Sequence, residues 1–105
     1  MFEERHHQSD RGGYTIVLGP PDLSFSIGVD HHPTNDGQGF DETRTGLDHL
    51  SFTTASVDEL HAWARHLDAE GVAHSGVYAM DGYPISLVTF RDPDGIQLEL
   101  LAFHA

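Results

Sequence analysis

Only one stretch of this chain has helical periodicity; the remaining apolar residues alternate or come in short runs. Val57, Leu60, Ala64 and Leu67 recur at the spacing of one helix face, and Gly71 supplies the stop. Ser56 followed by Glu59 is a capping box, which places the helix start at Val57. A lone helix must bury its apolar stripe against a sheet. The strands of that sheet are read from the flanking segments. Leu47–Thr53 precedes the helix, while Val72–Tyr78, Ile85–Phe90 and Ile96–Phe103 follow it. Asp81-Gly82 and Asp92-Pro93-Asp94-Gly95 supply the turns between them. The order β-α-β-β-β over residues 46–105 is a two-layer α+β unit.

The earlier residues read as strands without a helix. Phe2–His7 is expected as a short strand before the turn Asp10-Arg11-Gly12-Gly13, and Tyr14–Leu18 as a second strand. Gly19-Pro20-Pro21-Asp22 breaks it. Leu23–Val29 then alternates, with Leu23, Phe25, Ile27 and Val29 on one face, and is expected to form a hairpin with Tyr14–Leu18. This turn-then-strand segment superposes on the one that opens at Asp92, with an offset of 73 that places Leu23 on Ile96. The expectation is a single domain in three parts. Residues 1–30 are the last strands of a first βαβββ module that lacks its opening strand and helix, 31–45 are a linker loop, and 46–105 are a complete second module. The alternative is that the N-terminal strands simply complete one sheet. An apolar stripe with no covering helix and an unpaired strand edge both favour association, so a homodimer or higher homo-oligomer is expected.

Composition excludes several function classes. Five Lys and Arg against 17 Asp and Glu give a formal net charge of -12, which repels phosphate backbones and anionic lipid surfaces. Neither nucleic acid nor a membrane is expected as a partner. The chain has no cysteine, so disulfides, thiolate catalysis and cysteine-ligated metals are excluded. No apolar run reaches the length of a membrane span, and Met1-Phe2-Glu3-Glu4-Arg5 has no signal-peptide pattern, so a cytoplasmic protein is expected. Nine histidines point toward metal or proton chemistry.

Alternation assigns the strand faces. His49 shares a face with Leu47, Ser51 and Thr53, while Leu50 and Phe52 point toward the helix. On the last strand Ile96, Leu98 and Leu100 form the helix-facing set, and Gln97, Glu99 and Leu101 point away. If the two strands pair, His49 and Glu99 converge on the open face as two ligands for a divalent metal, or as a base and its partner. Two ligands are fewer than the three or four a catalytic metal needs. The plainer reading is a solvated glutamate and an ordinary polar histidine. His61 and His66 fall on the outer helix face. Within each of the pairs His6-His7 and His31-His32 the neighbours point opposite ways, so each pair offers at most one ligand. One of His31 and His32 is placed to bend toward a site from the loop. His74 belongs to the strand after the helix, and His104 to a frayed terminus. Trp63 and Phe90 are expected in the core or an interface, and Tyr83 at a hairpin tip. The acidic turn at Asp92 does not have the spacing of an EF-hand loop. No phosphate-cradling loop, nucleophile elbow or HExxH motif occurs.

Taken together, Gly46-Leu47-Asp48-His49-Leu50-Ser51-Phe52, the helix with Asp58-Glu59-Leu60 and Trp63, the Gly71-Val72 exit and the run Phe90–Leu100 resemble the second module of the vicinal oxygen chelate superfamily. That superfamily includes glyoxalase I, bleomycin-resistance and fosfomycin-resistance proteins and extradiol dioxygenases. The resemblance is strong from Gly46 to Ala102 and looser through Tyr14–Leu18 and Leu23–Val29. It implies paired βαβββ modules curling around a cleft for a small molecule. It also implies that His49 and Glu99 match the family's metal ligands, with zinc, nickel, manganese or iron as the cofactor and Glu99 doubling as a catalytic base. The chain departs from the family where the first module's ligands belong. Its opening strand has no counterpart, and Ser26 or Gly28 stands where metal-dependent members carry a ligand. Three functions stay open: a metal-dependent lyase, isomerase or dioxygenase; a non-catalytic, resistance-type binding protein; and a degenerate member acting through self-association.

Overall fold

The computed structural model describes residues 3–8, as backbone, and 12–104. Phe2, Asp10 and Arg11 lie outside the described residues, as do the side chains of His6 and His7. The chain divides into two compact units, Met1–Gln38 and Gly39–Ala105, each with its own sheet. Among the described residues no helix is long and apolar enough to cross a membrane.

The first unit is an antiparallel sheet of β1 (Glu3–Gln8), β2 (Tyr14–Gly19) and β3 (Ile27–His31), in that order. The hairpin of β2 with β3 forms as expected, but β3 begins at Ile27 rather than Leu23. The Pro20-Pro21-Asp22 turn explains the difference. Leu23 N donates to Pro20 O at 2.9 Å, and Ser24 N donates to the Asp22 carboxylate at 3.0 Å. Leu23 is thereby held at φ 53, in the left-handed region that opposes strand geometry. The loop then returns so close that a Cβ on Gly19 would lie 2.6 Å from Phe25 O, a spacing only glycine allows. Within the hairpin Ile16 faces Val29 and Leu18 faces Ile27, the Thr15 hydroxyl donates to Asp30, and the Tyr14 ring stacks on His31. Tyr14, Leu23, Phe25 and Val29 remain exposed.

The second unit is the βαβββ pattern itself. It contains β4 (His49–Thr53), α1 (Val57–Ala69), β5 (Tyr78–Ala79), β6 (Ile85–Arg91) and β7 (Gln97–Phe103). The sheet order is β4-β7-β6-β5, with β4 parallel to β7 and the other pairs antiparallel. The helix is bounded by the residues its sequence advertises. Ser56 Oγ accepts from Glu59 N at 3.1 Å, and Glu59 Oε2 accepts from Ala55 N at 2.8 Å. At the other end Val72 N donates to Leu67 O at 2.9 Å and Gly71 N to Asp68 O at 3.1 Å, with Gly71 at φ 72, which is a Schellman close. Leu60 and Leu67 of α1 pack on Val88, Leu100 and Ala102, ringed by Phe52, Val57, Ala64, Val72 and Phe90.

Two expectations in this unit are overturned and a third is narrowed. Val72–Tyr78 is not a continuous strand: His74 makes an isolated bridge to Phe90, and only Tyr78–Ala79 pairs as β5. Ser75 breaks the ladder, because its Oγ, in place of a backbone carbonyl, accepts from Thr89 N at 2.9 Å, and Gly76 follows at φ 76. Of the two places expected for Trp63, core or interface, the core is excluded, since it is exposed on α1, edge-on to His66. His104 is not frayed, since Pro84 O accepts its amide at 2.7 Å and its Nε2 meets Ser86 Oγ at 2.6 Å. The Asp92-Pro93-Asp94-Gly95 segment is turn chemistry: the Asp92 carboxylate accepts from Asp94 N and Ile96 N, and Gly95 sits at φ 89.

Candidate functional site

The helix covers one side of the second sheet, so every second residue of β4, β6 and β7 is left on the other side. Direct pairing sets these residues in rows. His49 lies opposite Gln97, which lies opposite Arg91. One step along, Ser51 lies opposite Glu99, which lies opposite Thr89. The rows form because β4, before the helix, and β7, at the end of the chain, are parallel neighbours.

Four of these side chains, Ser51, Glu99, Gln97 and Arg91, form a hydrogen-bonded chain, and His49 stands beside it. His49 Nε2 lies 3.7 Å from Glu99 Oε2, too far for a hydrogen bond. His49 Nδ1 is 2.7 Å from Asp48 Oδ1. Ser51 Oγ donates to Glu99 Oε2 at 2.9 Å, and Gln97 Nε2 donates to Glu99 Oε1 at 3.0 Å. Gln97 Oε1 accepts from Arg91 at 3.3 Å, and Arg91 also forks onto the Glu42 carboxylate with two contacts of 3.2 Å. Glu99 is mostly covered, with 14 % of its side chain exposed against 42 % for His49. The acid therefore sits in the floor of the cluster and the imidazole at its rim.

The neighbouring carboxylates shift His49 toward the protonated form. The Asp48 hydrogen bond, the Glu99 charge and the Asp48 charge together raise the His49 pKa above its usual 6.5, against a smaller opposing effect of burial. Arg91 holds the Glu42 carboxyl below the usual glutamate value, chiefly through their hydrogen bonds. An open groove of about 440 Å³ borders the cluster, lined by residues 72–75 on one side and by Thr89, Phe90, Arg91 and Gln97 on the other.

Of the residues singled out by sequence, His49 and Glu99 are brought together, on the face turned from the helix. The other histidines are placed elsewhere. His31 is in the first unit, stacked on Tyr14. His66 is beside Trp63 on α1, and His74 Nε2 is bonded to Asp68 at 2.7 Å with its Nδ1 accepting from Gly76 N. Among the described residues no group of three or more histidines and carboxylates surrounds a common point. Sequence reasoning assigned no role to Asp48, Arg91 or Glu42. Ser51 and Gln97 were legible as sharing the face, but their bonds to Glu99 were not.

Comparison with known proteins agrees with this architecture. The family model of the Glyoxalase/Bleomycin resistance protein/Dioxygenase superfamily matches residues 3–100. A glyoxylase/bleomycin resistance protein/dioxygenase domain from Frankia sp. EAN1pec superposes with a TM-score of 0.84 at 29 % identity, over 98 % of this chain and 79 % of that one. A glyoxalase family protein from Enterococcus faecalis gives 0.73 at 22 % identity, over 95 % and 77 %. The fosfomycin resistance protein FosX from Listeria monocytogenes shares the fold at 0.60 and 15 % identity, over 94 % and 72 %. No curated protein matches the sequence. With the family model spanning almost the whole chain and the βαβββ unit formed as that family builds it, the chain belongs to the glyoxalase/bleomycin resistance protein/dioxygenase superfamily.

Proposed function

We propose that His49 and Glu99 hold a divalent metal ion and that a small molecule bearing adjacent oxygens binds beside them. The separation of 3.7 Å between Nε2 and Oε2 carries this reading. Two donors that each stand about 2.0–2.2 Å from one ion can span such a distance. The surrounding bonds fit the same role. Asp48 accepts the Nδ1 proton and leaves the Nε2 lone pair free for a metal, the usual outer partner of a ligating histidine. Ser51 and Gln97 each donate to one oxygen of Glu99 and fix the carboxylate plane.

When bound, a divalent ion supplies Lewis acidity toward the oxygens of the ligand. Glu99 is the base of this site: its carboxylate, positioned by Ser51 and Gln97, would take up a proton released from the small molecule through an oxygen not engaged by the ion. The reaction class is lyase, isomerase or dioxygenase chemistry on an oxygenated substrate. The remaining ligands come from outside the described cluster, and a second copy of the chain covers the exposed apolar face of the first unit's sheet.

Zinc titration by calorimetry tests the reading, with nickel, manganese and iron as alternatives. One ion per chain is expected. The affinity should fall in His49→Ala and Glu99→Gln by more than the 10–100-fold typical of outer-shell changes. A chain that takes up no divalent ion, or binds it equally well in His49→Ala, returns the protein to the metal-free, ligand-binding reading.

A further inference from the structure

The segment that leaves α1 returns along β6 with one residue too many. His74 lies opposite Phe90 and Tyr78 opposite Leu87, so Ser75, Gly76 and Val77 span the stretch that Val88 and Thr89 cover on β6. The extra residue makes a β-bulge. Gly76 takes the left-handed conformation, at φ 76. Ser75 stitches the bulge to the ladder: its amide donates to Thr89 O at 2.9 Å, and its Oγ accepts from Thr89 N at 2.9 Å. The His74 ring closes the bulge. Its Nδ1 accepts from Gly76 N at 2.9 Å, and its Nε2 meets the Asp68 carboxylate of α1 at 2.7 Å. The His74 side chain is 12 % exposed. With Ser75 it forms part of one wall of the groove of about 440 Å³.

These two bonds fix the protonation state. A backbone N–H only donates, so Nδ1 keeps its lone pair for Gly76. A carboxylate only accepts, so Nε2 carries the hydrogen. The bulge therefore holds a neutral imidazole. A second proton can bind only at Nδ1, on the lone pair that Gly76 N occupies, and two N–H groups would then face each other across 2.9 Å. Asp68 serves both states, because Nε2–H donates to it before and after. We propose that His74 is a proton-operated latch on the groove wall: neutral, it holds the Ser75-Gly76 bulge in place, and protonated, it lets the bulge go. The surroundings leave the Gly76 bond as the one that proton uptake breaks. Asp68 from α1 is the carboxylate bonded to the ring, and Phe90 and Thr89 across the ladder are neutral. Arg91, on the same groove, is held by Glu42, and no other residue from 72 to 76 titrates. The latch involves neither His49 nor Glu99 and is independent of the metal reading.

Amide hydrogen exchange on the isotope-labelled full chain, followed by NMR between about pH 5 and 8, tests the latch, with rates corrected for the intrinsic pH dependence of exchange. One neutral hydrogen bond is a factor of about five in an opening equilibrium. Protection of the Gly76 amide should therefore fall about fivefold as the His74 ring protons titrate. The Thr89 amide, bonded to Ser75 Oγ, should follow, while the Leu100 amide, in the core, keeps its protection. His74→Asn puts a carbonyl oxygen near the place of Nδ1, where it accepts but does not titrate, and should give protection that is flat across the same range. His74→Leu removes the acceptor and should leave Gly76 exchanging fast throughout. In both variants the Leu100 amide reports that the core is folded. Gly76 protection that stays unchanged while the ring titrates overturns the latch, as does a pH-dependent fall that persists in His74→Asn. Release of Gly76 with Thr89 still protected overturns the control of the groove wall. A ring that takes up no proton until Leu100 also exchanges marks a structural histidine only and overturns the proposal.

Discussion

Gln97→Leu isolates the outer support of the site without touching either proposed ligand. In the native protein Gln97 Nε2 donates to Glu99 Oε1 at 3.0 Å, and its Oε1 accepts from Arg91 at 3.3 Å. Leucine keeps most of the volume and removes both bonds. Glu99 Oε1 then loses that donor, while Oε2 keeps Ser51. Arg91 keeps Glu42 and Gly95 O, so the larger loss falls on the carboxylate. A hydrogen bond to a charged group contributes about 1.5–3 kcal/mol, and partial exposure of Glu99 places this one at the lower end. About 1.4 kcal/mol is a factor of ten in a binding constant. Zinc affinity measured by calorimetry should therefore fall about tenfold, within the range seen for outer-shell partners of metal ligands. Thermal unfolding should move little, because Gln97 lies outside the buried cluster under the helix. Affinity equal to wild type would show that the carboxylate needs no orienting. A loss as large as that of Glu99→Gln would show that Gln97 is itself a donor to the ion, and either result refutes the reasoning.

Three further outcomes follow from the same geometry. The His49 imidazole should titrate above 6.5 in metal-free protein, and Asp48→Asn should lower it, as read from the ring protons by NMR. Because the folded value is the higher one, the stability from this pairing is complete below 6.5 and is lost as pH rises through the raised value; denaturant titrations across that window check the sign. Leu60→Ala, at a fully buried position, should cost about 2–5 kcal/mol in a urea titration. Ser56→Ala should cost about 1 kcal/mol, measured the same way, by leaving the Glu59 amide without its acceptor.

Much of the second unit was legible because its signals are local. The helix bounds are written in Ser56, Glu59 and Gly71, each of which satisfies backbone groups within a few residues of itself. The Asp92 turn is legible for the same reason. The start of the first-half strand is not legible at Leu23, because alternation of apolar residues says nothing about the turn behind it, and Pro20 O captures the Leu23 amide. The segment after the helix is not legible either, because a serine hydroxyl takes the part of a backbone carbonyl, which no hydrophobic pattern records.

What the sequence determined by itself was the pair of faces. A period of two sends His49 and Glu99 away from the residues that a single amphipathic helix must cover, whatever the strand order. Only the tertiary structure decided that the two residues are neighbours. Strands 48 residues apart, at Ser51 and Glu99, are aligned in parallel, and the alignment sets His49 with its Asp48 partner 3.7 Å from a Glu99 held by Ser51 and Gln97. The physical reason is that the order and register of strands minimise the exposed area of the whole core at once, Leu60 and Leu67 against Val88, Leu100 and Ala102. The distance between two polar groups on the far side of the sheet is a consequence of that packing.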